Sequence, residues 1–160
     1  FYVMKKKIII RQYHPSDCKE LSELFYQTIH KINAKDYTKE QIDAWTTGKT
    51  DLKEWNQSLQ RHYTIVAVSD GLIAGFGDID ETGYLNRLFV HKDHQRKGIA
   101  TAICKELESS VSKKPICVQA SITAKPFFEK RGYRVIRYQQ VEKHGVLLNN
   151  YVMKKMADFS

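Results

Sequence analysis

Apolar residues in the middle of the chain fall in short runs separated by turn residues. Two of the separators are Asp70-Gly71 and Glu81-Thr82-Gly83, and an Asp-Gly pair between apolar runs is a strong hairpin signal. The pattern therefore predicts an antiparallel meander of three strands, over residues 63–69, 72–80 and 84–90. Four further strands are predicted near residues 7–12, 116–120, 133–141 and 146–156, the last two joined at Gly145.

Two other stretches show helical spacing. After the first strand, apolar residues recur at intervals of three and four, and Ser16 stands where a helix N-cap is expected. Later in the chain, apolar residues recur every four positions, which predicts a helix over residues 99–112. The two stripes consist of Leu21, Leu24, Phe25, Ile29 and Ile32 in the first helix and Ile99, Ile103, Leu107 and Val111 in the second.

Three shorter helices are predicted from their ends. Thr38 is followed three positions later by Gln41, and Asp51 by Glu54, a spacing typical of capped helix starts. A further helix is predicted over residues 124–131, closed by Gly132. The elements together indicate a mixed α+β fold. No repeat or low-complexity run divides the chain, so a single domain over residues 1–160 is expected.

Composition excludes several classes of protein. With 42% hydrophobic and 28% charged residues, the chain resembles a globular protein, and no apolar run approaches the roughly 20 residues of a membrane span. The basic start at Lys5 to Lys7 imitates a secretory signal only until Arg11 interrupts it, so a cytoplasmic protein is expected. The three cysteines are odd in number and widely spaced, which argues against a disulfide framework and a zinc site.

A net charge of +8 permits an acidic partner but does not select one. The lysines occur in short scattered clusters rather than in a basic stripe interleaved with aromatic residues. A solvated surface is therefore the favoured interpretation, and nucleic acid is not expected as a partner. His91 and His94 lie three apart beside Asp93, yet no second group of metal ligands has a fitting spacing, so no metal site is expected.

The stretch from Leu88 to Thr101 is the most informative for chemistry. An apolar strand there runs through a basic turn straight into a helix start, where backbone N–H groups without partners attract an anion. Gly98 and the small Ala100 let a ligand approach the backbone, so a pyrophosphate would fit. The stretch has neither the phosphate-loop motif G-x-x-x-x-G-K-[ST] nor the three glycines of the dinucleotide motif.

Residues 95–100, Gln-Arg-Lys-Gly-Ile-Ala, resemble the Q/R-x-x-G-x-G/A signature of the GNAT superfamily of acyl-CoA-dependent N-acyltransferases. Three further stretches are similar to the family in the same order: the strand that ends at Val90, Ser121 to Tyr133, and Asn150 to Lys154. The start of the chain at 10–17 also resembles the family's opening strand and turn. The resemblance implies an α+β fold with a mixed, mostly antiparallel sheet of about seven strands flanked by helices. It also implies that two strands of this sheet splay apart and bind acetyl-CoA between them.

The same resemblance implies which residues hold acetyl-CoA. The strand before the turn would bond the pantetheine arm through its backbone, and the turn and helix start would hold the pyrophosphate. Ser121 would keep one hydrogen bond to the coenzyme or cap its own strand end, and Phe128 would pack on the pantetheine arm. The expected acetyl-CoA residues are Leu88, Phe89, Val90, Gln95, Arg96, Lys97, Gly98, Ile99, Ala100, Thr101, Ser121 and Phe128.

The catalytic groups depart from the family pattern. Asn86 stands where many relatives place a carboxylate, and an amide cannot accept the amine's proton. Asp78 would face the same site if a three-residue loop pairs it with Asn86, but a two-residue loop pairs it with Leu85 and turns it to the other face. Asp78 is thus a candidate general base or an anchor for the amine. The alternative is that Asp78 is a hydrogen-bonded carboxylate at the end of its strand. A chain of water molecules could also accept the proton without any base.

Two other catalytic groups are also left open. Phe128 replaces the tyrosine that would protonate the coenzyme sulfur, and Tyr151, Tyr84 or water could serve instead. The oxyanion donor is expected to be a backbone N–H near Phe89 or Val90.

The acceptor is expected to lie under a lid formed by the two short helices that begin after Thr38 and Asp51. Acidic residues there hint at a cationic small molecule or a lysine side chain, namely Asp36, Glu40 and Asp43. The aromatic residues of the same region either pack the helices or line an acceptor pocket, namely Tyr26, Tyr37, Trp45 and Trp55.

These observations predict an N-acetyltransferase that moves an acetyl group from acetyl-CoA to a primary amine of a small molecule or peptide in a ternary complex. The alternative is a non-catalytic acyl-CoA-binding or regulatory module, which the missing carboxylate at Asn86 and the missing hydroxyl at Phe128 would suit. The sequence leaves a homodimer open.

Overall fold

The computed structural model describes residues 7–157. The strands are β1 Ile8–Gln12, β2 Tyr63–Ser69, β3 Leu72–Ile79, β4 Tyr84–Val90, β5 Ile116–Ser121, β6 Arg134–Lys143 and β7 Val146–Lys155. The helices are α1 Cys18–Lys31, α2 Lys39–Trp45, α3 Leu52–Arg61, α4 Ile99–Ser110 and α5 Lys125–Lys130, with single 3-10 turns at Pro15–Asp17 and Asn33–Lys35. The described residues thus confirm the predicted α+β fold.

All seven strands belong to one sheet, in the order β1-β2-β3-β4-β5-β7-β6. Each neighbouring pair is antiparallel except β4 and β5, which run parallel. The crossover from β4 to β5 contains α4, as a parallel connection requires. The predicted meander from β2 to β4 is confirmed, with its two turns near the expected residues.

Helices cover both faces of the sheet. Helix α4 packs its buried residues Ile99, Ile103 and Leu107 on one face, against apolar side chains of β2, β3 and β4. On the other face, Leu21 and Leu24 of α1 and Leu59 of α3 pack over the side chains of the central strands. Alternate residues of a strand point to opposite faces, so each central strand contributes to both layers.

Helix α4 lies unusually close to β3. A Cβ at Gly77 would come within 2.8 Å of the Arg87 carbonyl oxygen and 2.9 Å of the Ile103 side chain. Gly75 leaves only 3.0 Å to Ile99 and Ile103. The two glycines therefore allow the helix to approach the sheet, and this approach fixes where the start of α4 stands beside the end of β4.

Helix starts test the capping predictions directly. The Gln41 N–H donates to Thr38 Oγ1 at 3.1 Å and the Glu54 N–H donates to Asp51 Oδ1 at 3.2 Å, which confirms both predicted caps. The predicted cap at Ser16 is wrong. The chain enters α1 through a 3-10 turn in which the Ser16 N–H donates to His14 Nδ1 and Asp17 accepts from the His14 N–H. A Ser16 cap would have accepted from the N–H of Cys18 or Lys19, and in the 3-10 turn the Cys18 N–H donates to the Pro15 carbonyl instead.

Between residues 7 and 157, none of the helices combines the length and apolar character needed to span a membrane.

Candidate active site

Strands β4 and β5 separate soon after they begin. Only Tyr84 with Cys117 and Leu85 with Val118 are paired, while β4 continues to Val90 and β5 to Ser121. Beyond the paired residues, the backbone groups on the facing edges have no strand partner, and the sheet opens into a gap. This gap is the splayed pair that the resemblance implied.

Two cavities meet in the gap. The turn cavity, of about 320 Å³, is lined by the end of β4, the turn after it and the start of α4. The aromatic cavity, of about 340 Å³, lies beneath α1 and α2 on the other side. Both are lined by Leu88, Phe89, Ser121 and Ala124. A ligand threaded through the gap therefore reaches from one cavity into the other.

The backbone of β4 presents hydrogen-bonding groups to this gap. The His91 N–H donates to the Ala74 carbonyl of β3 at 2.8 Å, and the Phe89 carbonyl also faces β3, beside Gly75. Because neighbouring residues of a strand alternate, the backbone groups of Leu88 and Val90 face away from β3, toward the gap. Of the two predicted oxyanion donors, the Val90 N–H therefore points into the gap and the Phe89 N–H does not.

The carbonyl of Val90 is already occupied. It accepts from Thr28 Oγ1 at 2.9 Å and from Gln95 Nε2 at 2.8 Å. The Gln95 amide also lies 3.3 Å from the His91 carbonyl. Gln95 thus ties the turn to the end of β4, and Thr28 ties α1 to the same point.

The turn that joins β4 to α4 has the shape of an anion site. Arg96 and Gly98 both adopt positive φ, at 60° and 80°, and Gly98 is the N-cap of α4. The positive φ at Arg96 is uncommon for a residue with a side chain and marks a conformation held by its surroundings. Open space lies where a Cβ of Gly98 would be, and the N–H groups of the first turn of α4 have no partner within the helix.

Most of the predicted acetyl-CoA residues lie together around this turn. Those that line the turn cavity are Leu88, Phe89, Val90, Gln95, Arg96, Gly98, Ile99, Ala100, Thr101 and Ser121. Lys97 is exposed and lines neither cavity, while Phe128 is buried and lines the aromatic cavity.

Ser121 stands where the two cavities join. Its Oγ accepts from the Ala124 N–H at 3.0 Å, and Asn33 Nδ2 lies 3.5 Å from it. The hydroxyl therefore caps the turn that enters α5 and still has its own proton to donate. The two interpretations of Ser121 from the sequence are compatible.

Aromatic side chains dominate the second cavity, namely Phe25, Tyr37, Trp45, Tyr84, Phe89 and Phe128. Tyr37 donates from its hydroxyl to the Asn149 carbonyl at 2.8 Å and accepts from the Ile122 N–H at 2.9 Å, so it joins β5 and β7. Tyr84 lines the cavity, whereas Tyr151 lines neither and stacks against Tyr138. Burial raises the pKa of Tyr84, which keeps its phenol protonated near neutral pH.

Some aromatic residues of the lid region line the aromatic cavity, and the others pack against neighbouring side chains. Tyr37 and Trp45 line the cavity, while Trp55 packs on Phe25 and Phe76 and Tyr26 stacks on His30.

The pairing predicted for Asp78 is wrong in both of its forms. Asp78 lies opposite Arg87, and a register shift after it leaves Asn86 as the extra residue of a bulge, since Ile79 pairs with Leu85. The bulge turns Arg87, rather than Asn86, to the same face as Asp78. Asp78 is fully buried and lines neither cavity, while Asn86 is exposed and lines the aromatic cavity.

Asp78 instead holds an ion pair. Its Oδ2 accepts from Arg87 Nη1 and lies 2.9 Å from His62 Nδ1. Arg87 Nη2 donates to Ser58 Oγ at 2.9 Å, and the guanidinium carbon lies 5.2 Å from the centre of the Trp55 ring. Arg87 lines the aromatic cavity from this clamped position.

The charged residues that line the aromatic cavity are Arg87 and Lys143, both cations. The acidic residues expected near the acceptor, Asp36, Glu40 and Asp43, are absent from its lining, and Asp36 accepts from the Thr123 hydroxyl at 2.8 Å. The expectation of a cationic acceptor therefore loses its basis.

The sequence interpretation missed several residues of the site, chiefly Arg87, Lys143, Asn149 and Thr28. Arg87 and Lys143 come from strands far apart in the sequence, and no local spacing links them. The bulge that turns Arg87 has no glycine to mark it. Within residues 7–157, no group of three or more His, Cys, Asp or Glu side chains has a geometry that could hold a metal ion.

Comparison with known proteins agrees with this geometry. A family model described as "Acetyltransferase (GNAT) domain" matches residues 33–155. The chain is 35% identical over 147 residues to the uncharacterized N-acetyltransferase YafP of Escherichia coli (strain K12), covering 92% of this chain and 95% of the relative.

Two solved structures share the fold. A GCN5-related N-acetyltransferase from Rhodopseudomonas palustris superposes with a TM-score of 0.90 at 27% identity, over 98% of this chain and 99% of the other. The PaiA N-acetyltransferase from Thermoplasma acidophilum, solved in complex with coenzyme A, gives 0.75 at 20% identity, over 94% and 99%. The chain therefore belongs to the GNAT family and is an acetyltransferase.

Proposed function

We propose that this protein transfers an acetyl group from acetyl-CoA to a primary amine by direct attack within a ternary complex. The observation that carries the proposal is that two cavities, one beside an anion-binding turn and one lined by aromatic residues, meet between splayed strands. We further propose that residues 1–160 form one domain. Its three free thiols fit a reducing cytoplasm.

The turn cavity suits the coenzyme. The helix start at Ile99 to Thr101 and the positive-φ residues Arg96 and Gly98 offer N–H groups and positive charge to a pyrophosphate. The Val90 N–H faces the gap and would bond the pantetheine arm, whereas the Val90 carbonyl is already bonded to Thr28 and Gln95. The related protein from Thermoplasma acidophilum was solved with coenzyme A, which supports the same ligand class here.

The acetyl group would then lie at the junction, beside Ser121 and the end of β4. The amine attacks the thioester carbonyl carbon, a C–N bond forms, and the C–S bond breaks to release the coenzyme thiolate. The Leu88 N–H, which faces the gap where the two cavities meet, would donate to the carbonyl oxygen as negative charge develops there, and holding both reactants at this point lowers the barrier. The Ser121 hydroxyl is placed to orient the coenzyme by one hydrogen bond.

Proton transfer is assigned differently from the sequence prediction. We propose that Asp78 is a positioning residue that holds Arg87, because its carboxylate lines neither cavity. The amine loses its proton to water, and the exposed Asn86 orients that water or the amine. Tyr84 lines the aromatic cavity but is the first residue of β4, about 13 Å along the strand from Leu88, so we assign the protonation of the departing thiolate to water.

A second function, acyl-CoA binding without catalysis, is supported by the lining of the aromatic cavity, which contains no carboxylate or imidazole. A protein that binds acyl-CoA without turnover, as a sensor or regulatory module, needs no such group.

The test is calorimetric titration with acetyl-CoA and coenzyme A, followed by thiol release in the presence of amino acids, aminoalkyl phosphates, polyamines and lysine peptides. Binding with amine-dependent thiol release supports the transferase. Binding without release from any of the amines favours the sensor, and a lack of binding overturns both functions.

A further inference from the structure

We propose that the amine acceptor carries an anionic group, a carboxylate or a phosphate, which Arg87 and Lys143 recognise in the aromatic cavity. This inference rests on the proposed function and names the substrate class of the same site. It reverses the expectation from the sequence, in which acidic residues near α2 suggested a cationic acceptor.

Arg87 is built into the site rather than free at its surface. Asp78 and Ser58 each accept one of its hydrogen bonds, Trp55 covers the face of its guanidinium, and its side chain is 14% exposed. A guanidinium has five N–H groups in a fixed fork, so the two bonds formed leave three. A clamped guanidinium with free donors is suited to bidentate binding of a carboxylate or phosphate.

The counter-charge of Arg87 lies behind it, not in the cavity. Asp78 is fully buried and shares its Oδ2 between Arg87 and His62. An acceptor in the cavity therefore meets the guanidinium and not the carboxylate. Asp78 fixes the direction of Arg87 without offering a negative surface to an amine.

Lys143 adds a second cation at the end of β6. It is exposed, lines the aromatic cavity, and has no salt bridge to any residue between 7 and 157. Since no Asp or Glu lines the cavity, its charged lining is wholly positive. A polyamine would be repelled by this lining, whereas an acceptor with an anionic group would be attracted and oriented.

The size of the cavity limits the acceptor further. A volume of about 340 Å³ is at the lower end of ordinary small-molecule sites. Volume and charge together therefore favour a small molecule with both an amine and an acid group, such as an amino acid or an aminoalkyl phosphate.

The experiment compares matched acceptors that differ in the acid group. L-leucine and L-phenylalanine are compared with their carboxamides, and O-phosphoethanolamine with ethanolamine, by thiol release from acetyl-CoA. We expect kcat/KM at least about tenfold higher for the acidic member of at least one pair. At a given pH, a larger fraction of the amine is neutral in the carboxamide than in the amino acid. A preference for the carboxylate therefore cannot come from a more reactive amine.

Binding is measured in parallel, so that the inference does not depend on turnover. N-acetyl-L-leucine, N-acetyl-L-phenylalanine and their amides, together with O-phosphoethanolamine and ethanolamine, are titrated into the protein saturated with coenzyme A. We expect the acidic member to bind more tightly than the member without the acid group in at least one pair. Comparing the carboxylate pairs with the phosphate pair shows which anion the site recognises.

Two substitutions test whether Arg87 and Lys143 cause the preference for the acidic acceptor. Arg87→Gln is expected to abolish it and Lys143→Gln to reduce it about threefold or more, while acetyl-CoA affinity is unchanged in both. Arg137→Gln removes an exposed cation from the same strand as Lys143 but outside the cavity, and serves as the matched control. Because Arg87→Gln leaves Asp78 without its ion pair, Lys143→Gln keeps the test valid if the first variant does not fold.

The inference is overturned if amides, ethanolamine or polyamines are preferred, if acids and amides bind the coenzyme complex equally, or if the preference survives both substitutions. In each of these cases, acetyl-CoA binding together with amine-dependent thiol release leaves the proposed function standing. A failure of acetyl-CoA itself to bind would overturn the proposed function and this inference together.

Discussion

Gly98 shows how much one residue decides in this site. It caps α4 with φ at 80° and has open space where a Cβ would be, on the side from which a pyrophosphate would approach. Gly98→Glu would fill this space with a negative charge and strain the backbone. We expect acetyl-CoA affinity to fall at least about tenfold, which corresponds to 1.4 kcal/mol, measured by calorimetry.

The matched control is Gly71→Glu. Gly71 has φ at 76° and also has open space at its Cβ position, but it lies in the turn between β2 and β3. Gly71→Glu therefore introduces the same backbone strain and the same change of charge, but at a position away from both cavities. Equal loss of coenzyme affinity in both variants would refute the assignment of the turn.

Asp78 provides a second test at this scale, because a base and a positioning residue respond differently to Asp78→Asn. Removing the carboxylate leaves Arg87 without its buried ion pair, so we expect a loss of stability of about 3 kcal/mol. For an acidic acceptor we expect a higher KM and a weaker preference over the amide, with the pH dependence of the rate unchanged. A lower kcat at constant KM, with a shifted pH profile, would instead restore Asp78 as the base.

At the scale of elements, the start of α1 depends on an ion pair rather than on the serine cap that the sequence suggested. Arg11 donates two hydrogen bonds to Asp17, at 2.8 and 3.0 Å, and the His14 N–H donates a third. The hydrogen bonds from Arg11 lower the pKa of Asp17, and the one from His14 assists. The charged carboxylate therefore holds the end of β1 and the beginning of α1 together.

The pH dependence of Asp17 follows from the direction of this shift. Because its pKa is lower in the folded protein than in the unfolded chain, the stabilisation is present above the ordinary pKa of Asp and is lost as the pH falls through the folded value. Asp17→Asn is therefore expected to lower Tm at pH 7 and to make little difference near about pH 2. Thermal unfolding at both pH values measures this, and a Tm difference that is constant with pH would contradict it.

The position of α4 against the sheet provides another prediction for an element. Gly77→Ala would bring a methyl group within 2.8 Å of the Arg87 carbonyl and 2.9 Å of Ile103. We expect overpacking to cost about 1–3 kcal/mol in the free energy of unfolding, measured by urea denaturation. Since β4 and α4 would both have to move away from β3, the turn between them would shift and coenzyme affinity should fall as well. A variant as stable as the parent protein would show that α4 is less closely packed than described.

Most elements were predictable because their signals are local. Turn residues delimit β2, β3 and β4, and the caps at Thr38 and Asp51 mark where α2 and α3 begin. The start of α1 was not predictable from Ser16 alone, since the His14 side chain and the Arg11 ion pair replace the cap.

For the whole molecule, coenzyme binding should stabilise the fold, because the turn cavity joins α1, β4, α4 and the segment after β5. A ligand at a hundred times its Kd adds about 2.7 kcal/mol, which raises Tm by about 5–10 °C for a chain of this size. Differential scanning fluorimetry with acetyl-CoA measures the shift. Gly98→Glu should show less of it than Gly71→Glu, and no shift in the parent protein would contradict the site.

The sequence by itself determined the mixed fold, the strand that ends at Val90, the glycine-containing turn from that strand into α4 and the family to which the chain belongs. These features depend on residues that are neighbours in the chain, so hydrophobic periodicity and turn chemistry express them directly. Only the tertiary structure decided which charged side chains line the aromatic cavity. A bulge at Asn86 moved the pairing of Asp78 to Arg87, since a shift of one residue turns a side chain to the other face of a sheet. Packing of distant strands then brought Arg87 and Lys143 to the same cavity, an arrangement that no local pattern could reveal.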